Sequence, residues 1–194
     1  QLRTLLARNR RGKRIVGDKS PNENGPQAVR WLEAIYPDAR VVYIVRDGRD
    51  TILSKRIQAF IDQPQSLSRR DRRVRQDFIK DPQPFLRMER SIFTPAWLEA
   101  SAKGWASAVQ GSVAAGRELL GESFLVVRYE DLLEDPFPLL QRLWGHLGAD
   151  PAGTEVEASV RTQLQENPEA EWHKSSDFAF VRHLPRGVRG GWRH

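Results

Sequence analysis

The chain has no cysteine in its 194 residues. That absence excludes a disulfide framework, thiolate metal sites and a cysteine nucleophile together. Histidine is scarce as well. His146, His173, His183 and His194 show no paired ligand spacing, so no metal site is expected. No apolar run approaches the roughly 18 residues a membrane span requires. No charged-then-apolar leader opens the sequence, so a soluble, cytoplasmic protein is expected. Methionine occurs once, at Met88, and the sequence opens on Gln1, which reads as a piece of a longer protein.

What is abundant is arginine. Lys and Arg together number 31 against 25 acids, for a net charge of +6, and 25 of the 31 are arginine. Genomic base composition produces such a bias, and so does an anionic ligand, because the guanidinium fork matches phosphate and sulfate geometry. Net charge does not separate the two readings. Position does.

Along the chain, Arg14-Ile15-Val16-Gly17 reads as a short strand running into the loop Asp18-Lys19-Ser20-Pro21. Gly25 to Tyr36 carries Ala28, Val29, Leu32, Ile35 and Tyr36 at helical spacing, and Pro37 ends it. Residues 40–45 form a run dominated by β-branched residues, which suits a strand buried on both faces of a parallel sheet. Asp50 to Phe60 reads as a helix with Leu53, Ile57 and Phe60 inward. Residues 62–95 hold prolines at 64, 82, 84 and 95 and the block Arg69-Arg70-Asp71-Arg72-Arg73-Val74-Arg75. They read as an irregular, exposed basic excursion. Its arginines suit either a solvated face or a dock for an anionic acceptor such as a glycan. Helical periodicity returns over 96–120, where Trp97 and Trp105 fit a core face. A third strand is expected at 124–128, and a helix from Asp135-Pro136 to Gly148 that includes Trp144.

Strands alternating with helices predict an α/β protein, a parallel sheet flanked by helices. Ligands in such folds bind beyond the carboxyl ends of the strands. The loops after Val16, Val45 and Val127 therefore matter most. The first offers Lys19 and Ser20. The second offers Arg46-Asp47-Gly48-Arg49-Asp50-Thr51, with Ser54 one turn into the helix, and the third Arg128-Tyr129-Glu130-Asp131. A guanidinium, a hydroxyl and free N–H groups at a helix amino terminus together suit a phosphate.

The segment 41–50 with Ser54 resembles the 3′-phosphate-binding segment of sulfotransferases, enzymes that use 3′-phosphoadenosine 5′-phosphosulfate (PAPS). Three further segments agree, in the family's order. Gly17-Asp18-Lys19-Ser20-Pro21 is similar to the lysine loop that approaches the transferred sulfonate. Val127 to Leu132 with Asp135-Pro136 is similar to the segment whose tyrosine lies near the adenine. Arg186-Gly187-Val188-Arg189-Gly190-Gly191-Trp192 resembles the loop that closes on the 3′-phosphate.

The resemblance implies a P-loop NTPase-like sulfotransferase fold across 1–194 as a single domain. It also implies sulfonate transfer to a hydroxyl or amine of a glycan, small molecule or protein. Arg46, Ser54, Tyr129, Arg186 and Gly187 would bind the nucleotide, and Lys19 would act at the leaving phosphate. The family's glycine-rich 5′-phosphosulfate loop has no match here, which implies a missing amino-terminal part. The histidine base of the cytosolic small-molecule branch is replaced by Pro21, so the chain resembles the bacterial and the glycan- or protein-directed branches. Glu23 and an acid outside the sequence are both candidate bases. Pro185 stands where a second basic residue often precedes the closing loop, a role Arg182 or Arg189 would fill. No metal is demanded, because the leaving 3′,5′-bisphosphate is stable.

Two rival classes fit less well. A nucleic-acid-binding module would interleave aromatics with the arginine block, and Phe78 is the nearest downstream. A protein kinase would need a histidine before Arg46-Asp47 and a glycine after Phe178, and neither is present. An inactive nucleotide- or glycan-binding protein on the sulfotransferase fold would differ only in the glycine-rich loop and the base.

Overall fold

The computed structural model describes residues 15–19, 25–149 and 154–165. The elements, in chain order, begin with helix α1 (Pro26–Ile35), strand β1 (Val41–Val45) and helix α2 (Gly48–Ile61). A 3-10 turn at Pro64–Ser66 precedes α3 (Arg69–Lys80) and the short α4 (Gln83–Leu86). The long α5 (Pro95–Leu120) leads through a second 3-10 turn into β2 (Phe124–Arg128). Helices α6 (Tyr129–Glu134), α7 (Pro136–Leu147) and α8 (Thr154–Gln165) follow. The protein is thus a mixed α/β chain, mostly helical, with a parallel strand pair. The described residues divide into two compact units, the first holding those up to 45 with 108–149 and the second 46–107 with 154–165.

In the first unit β1 and β2 pair in parallel from Val41↔Phe124 to Val45↔Arg128. Val29 of α1, Ala115 of α5 and Phe124 of β2 form the core, and Val41, Tyr43, Leu119, Leu120 and Val126 pack around it. The Tyr43 and Phe124 rings stack with centroids 6.0 Å apart. Helix α5 meets this core with small residues. Ser112, Ala115 and Gly116 are buried, and a Cβ on Gly111 would stand 3.1 Å from the Pro26 ring at the start of α1. A Cβ on Gly116 would overlap the Phe124 ring. Arg40, just before β1, donates to the carbonyl oxygen of His146 at the end of α7. A cation at the carbonyl end of a helix is favourably placed. Gly148 closes that helix in the left-handed conformation, with φ of 68°.

Two expectations fail in this unit. Residues 15–19 are irregular and exposed, and no described strand pairs with them, so the strand expected over 14–17 is absent from its described part. Nor is β1 buried on both faces. Ile44 is 56% exposed, and the sheet has two strands among the described residues.

The second unit corrects the reading of 62–95 as irregular. Its prolines punctuate helices instead of preventing them. Pro64 opens a 3-10 turn, Pro82 precedes α4, and Pro95 opens α5. Between them Ser68 caps α3, its hydroxyl accepting from Asp71 N at 3.1 Å. The core is Phe60, Leu67, Phe78 and Phe85. The Phe78 and Phe85 rings meet edge to face at 5.2 Å, a favoured aromatic geometry.

Beside these rings lies a buried ion pair. The Arg56 side chain is fully buried. Its Nη2 donates to Asp71 Oδ1 at 2.8 Å, and its Nε donates to the Ile92 carbonyl at 2.8 Å. Its guanidinium lies 4.3 Å from the Phe60 ring centroid and 4.7 Å from that of Trp97. Asp71 also accepts from Ser68 Oγ at 2.5 Å and Thr94 Oγ1 at 2.8 Å. One network thus joins α2, α3 and the segment leading into α5. The buried residues of α2 are Asp50, Ile52, Arg56 and Phe60. Of the three expected from apolar spacing, Phe60 is buried, Ile57 is half-buried against the same core, and Leu53 is half-buried.

Burial alone would raise the Asp71 pKa. The hydrogen bonds from Ser68, Thr94 and Arg56, with the Arg56 charge, outweigh burial and hold it below the ordinary carboxylate value.

Two stability measurements test these cores. Gly116→Ala gains about 1 kcal/mol of helix propensity, but overpacking against Phe124 typically costs about 1–3 kcal/mol. A net loss is expected in urea unfolding, and a gain would refute the close approach. Asp71→Asn leaves a buried guanidinium uncompensated and should cost about 3–5 kcal/mol at neutral pH. Because the folded pKa is depressed, the Asp71 contribution is complete above the unfolded value of about 3.9 and fades as pH falls through the folded pKa. The gap between wild type and Asp71→Asn should stay constant from pH 7 to 5 and narrow below about pH 4. A gap unchanged at low pH would show that the carboxylate charge is not what stabilises the network.

Candidate functional site

Strand β1 ends at Val45, and Arg46 and Asp47 separate it from the first residue of α2. This abrupt change from strand to helix requires a cap, and Asp47 provides it. Its carboxylate accepts from Arg49 N at 2.8 Å, and its carbonyl accepts from Thr51 N at 3.0 Å. The Arg49 side chain folds back on the same carboxylate, with Nη2 donating at 2.6 Å. This hydrogen bond and the charge of Asp47 raise the Arg49 pKa. The two arginines of Arg-Asp-Gly-Arg-Asp therefore differ in role. Arg49 is an exposed partner of the cap, whereas Arg46 is half-buried at the strand end.

The capping changes one expectation. The α2 terminus does not present a full set of free N–H groups, since Asp47 already accepts from Arg49 N and Asp50 sits buried in the first turn. Anion binding at this junction would rest on side chains. Ser54 is exposed in the second turn of α2, on the side away from Ile52, Arg56 and Phe60. Arg46 and Ser54 thus stand at the start and on the outer surface of one helix.

Gly48 has a steric reason to be glycine. A Cβ there would come within 2.8 Å of the Trp105 ring, so the indole lies against the α2 backbone two residues after Arg46. Trp105 is half-buried, as is Trp97, whose ring stacks on Phe93 at 5.8 Å. The spacing argument found both tryptophans but not Arg56, whose guanidinium covers Trp97. A buried arginine carries no periodic apolar signal.

In the first unit, Lys19 is exposed in the irregular stretch 15–19. Tyr129 is the first residue of α6 and half-buried, directly after β2. Arg128 lies 3.8 Å from Glu130 and 3.7 Å from Asp131, so the acids of this turn engage a neighbouring cation. Glu23, Arg186 and Gly187 lie outside the described residues, as do Arg182 and Arg189. Among the described residues no group of three His, Asp or Glu side chains could hold a metal ion. No described helix is long and apolar enough to cross a membrane.

Known proteins bear on this geometry as follows. No curated protein matches the chain. A solved sulfotransferase from Alicyclobacillus acidocaldarius is similar at 19% identity and a TM-score of 0.41, covering 87% of this chain. The chain spans 63% of the length of that protein. The sulfotransferase family matches residues 1–152, a stretch that contains the lysine loop, the β1–α2 junction and the β2–α6 turn. The chain belongs to the sulfotransferase family.

Proposed function

We propose that the chain transfers a sulfonate group from PAPS to a hydroxyl or amine of an acceptor, releasing 3′,5′-bisphosphoadenosine. The observation that carries this reading is the β1–α2 junction. A half-buried arginine leaves the strand end, and an exposed serine hydroxyl follows eight residues later on the outer side of the helix. A guanidinium and a hydroxyl are suitable donors for a phosphate dianion, and the chemistry of the set fits the 3′-phosphate of the donor. Family membership supports sulfotransferase activity in general terms.

The roles follow from chemistry. Arg46 and Ser54 would hold the 3′-phosphate, with Arg186 and Gly187 closing over it. Tyr129 would offer its ring face to the adenine. PAPS supplies an activated sulfonate on a stable leaving bisphosphate. Lys19 would neutralise negative charge gathering on the leaving phosphate oxygen. Glu23 would accept the proton of the attacking hydroxyl or amine, which requires it within hydrogen-bond reach of that proton. Because the leaving group is stable once released, positioning and charge neutralisation suffice, as in phosphoryl transfer.

Calorimetric titration tests the assignment with two nucleotides, adenosine 3′,5′-bisphosphate and adenosine 5′-phosphate. Arg46→Ala should weaken the bisphosphate by about 10- to 100-fold, the range expected for a lost charge-assisted hydrogen bond. Ser54→Ala should weaken it by about 2- to 10-fold. Both variants should leave the 5′-phosphate titration unchanged. Equal weakening of the two nucleotides would overturn the 3′-phosphate assignment. Tight bisphosphate binding with no sulfonate transfer to any acceptor would instead identify an inactive nucleotide-binding relative.

A further inference from the structure

Helix α3 has a marked division of charge. Arg69, Arg70, Arg72 and Arg73 are all exposed, and among the described residues none of them forms an ion pair. The acid in their midst, Asp71, points inward, where Arg56, Ser68 and Thr94 occupy its carboxylate. Farther along the helix, Asp77 pairs with Arg90 at 2.6 Å. The outer face of the first two turns is thus left with four uncompensated guanidinium groups.

Two physical rules oppose this arrangement. Like charges at i,i+3 and i,i+4 destabilise a helix, and the face contains 69/72, 70/73 and 69/73. Cations in the first turn also oppose the helix dipole. An anion lying on the face offsets both penalties. An open cavity of about 330 Å³ is present there, lined among the described residues by Arg69, Arg72, Arg73 and Gln76.

We infer that the Arg69–Arg73 face of α3 binds an acidic polysaccharide carrying sulfate or carboxylate groups and docks it as the acceptor. Four residues of four are arginine, the side chain whose planar fork matches sulfate and carboxylate. A linear polyanion presents such groups repeatedly and meets several arginines at once. No aromatic side chain stands among Arg69, Arg70, Arg72, Arg73 and Gln76, so the face lacks the stacking platform that single-stranded nucleic acids use. Gln76 adds a neutral donor and acceptor suited to sugar hydroxyls. The acceptor role rests on the sulfotransferase reading, since a polysaccharide supplies the hydroxyl to be sulfated. The anion-binding role does not.

The test compares the whole chain with two quadruple variants that lose the same net charge. The first is Arg69→Ala, Arg70→Ala, Arg72→Ala and Arg73→Ala. The second, a control, is Arg30→Ala, Arg87→Ala, Lys103→Ala and Arg117→Ala. The probes are a sized heparin oligosaccharide, a neutral dextran oligosaccharide and a single-stranded oligonucleotide of equal charge. Heparin should bind wild type and the control alike, and the α3 variant at least tenfold more weakly. The slope of log affinity against log salt should flatten by about 3 units in the α3 variant, as expected when about four charge contacts release counterions. Dextran should not bind.

Equal losses in both variants would overturn the proposal, because net charge alone would then account for binding. An oligonucleotide that binds more tightly than heparin, and loses its affinity in the α3 variant, would overturn it in favour of a nucleic-acid partner. Adenosine 3′,5′-bisphosphate affinity, measured on the same samples, should be unchanged in the α3 variant. Heparin binding as expected with no bisphosphate binding in wild type would retain the dock and remove the sulfotransferase reading. The converse result would remove the dock alone.

Discussion

The second unit depends on the pairing of Arg56 with Asp71. A guanidinium with no solvent exposure is costly to bury, and it remains there because its partners converge from four segments. Asp71 comes from α3, the Ile92 carbonyl from the link after α4, and the Phe60 and Trp97 rings from α2 and α5. Hydrophobic packing of Phe60, Phe78 and Phe85 gathers these segments without selecting one angular setting. The directional bonds to Arg56 select it. They fix the rotation of α2 about its own axis and so turn Ser54 outward.

The same pairing determines the electrostatics of α3. With Asp71 turned inward, the first two turns of the helix present no acid to balance their outer arginines, and Asp77 farther along pairs with Arg90. The inner polar network and the outer basic face are therefore consequences of one side-chain orientation. At the amino end of α2, the Asp47 carboxylate likewise gathers several donors, the Arg49 backbone N–H and guanidinium, as that of Asp71 gathers a guanidinium and two hydroxyls.

Much of this organisation was readable from residue order. The run at 41–45, the helical spacing of 25–36 and of 135–148, and the Phe124–Arg128 strand are each matched by an element of the structure, although Leu32 and Ile35 of the α1 stripe are exposed and Val29 is its one buried residue. The polar motifs after β1 and β2 are legible for a different reason, since they adjoin strand ends where chemistry is expected, whereas the Lys19 loop follows no described strand. Helix α3 was not legible. Its inward face is Asp71, Val74, Arg75 and Phe78, two charged residues and two apolar ones, so its stripe is polar by composition. Arg75 points its Nε at the Phe60 carbonyl, a use of arginine that no hydropathy pattern reports. Ile15 and Val16 fail in the opposite sense. Their β-branched character suggests a strand, but pairing partners lie elsewhere in a chain, and none is present among the described residues.

The parallel register of β1 and β2 has a kinetic consequence. Val41 meets Phe124 only after residues 46–123 have been accommodated between the strands, so the sheet is made entirely of contacts distant in sequence. Closing so long a loop is entropically unfavourable before any pairing compensates for it. The Phe60, Phe78 and Phe85 cluster, by contrast, is assembled from residues close together in the chain. Local contacts form faster than distant ones. By sequence separation alone, the helical cluster is the quicker of the two to close and the strand pair the slower.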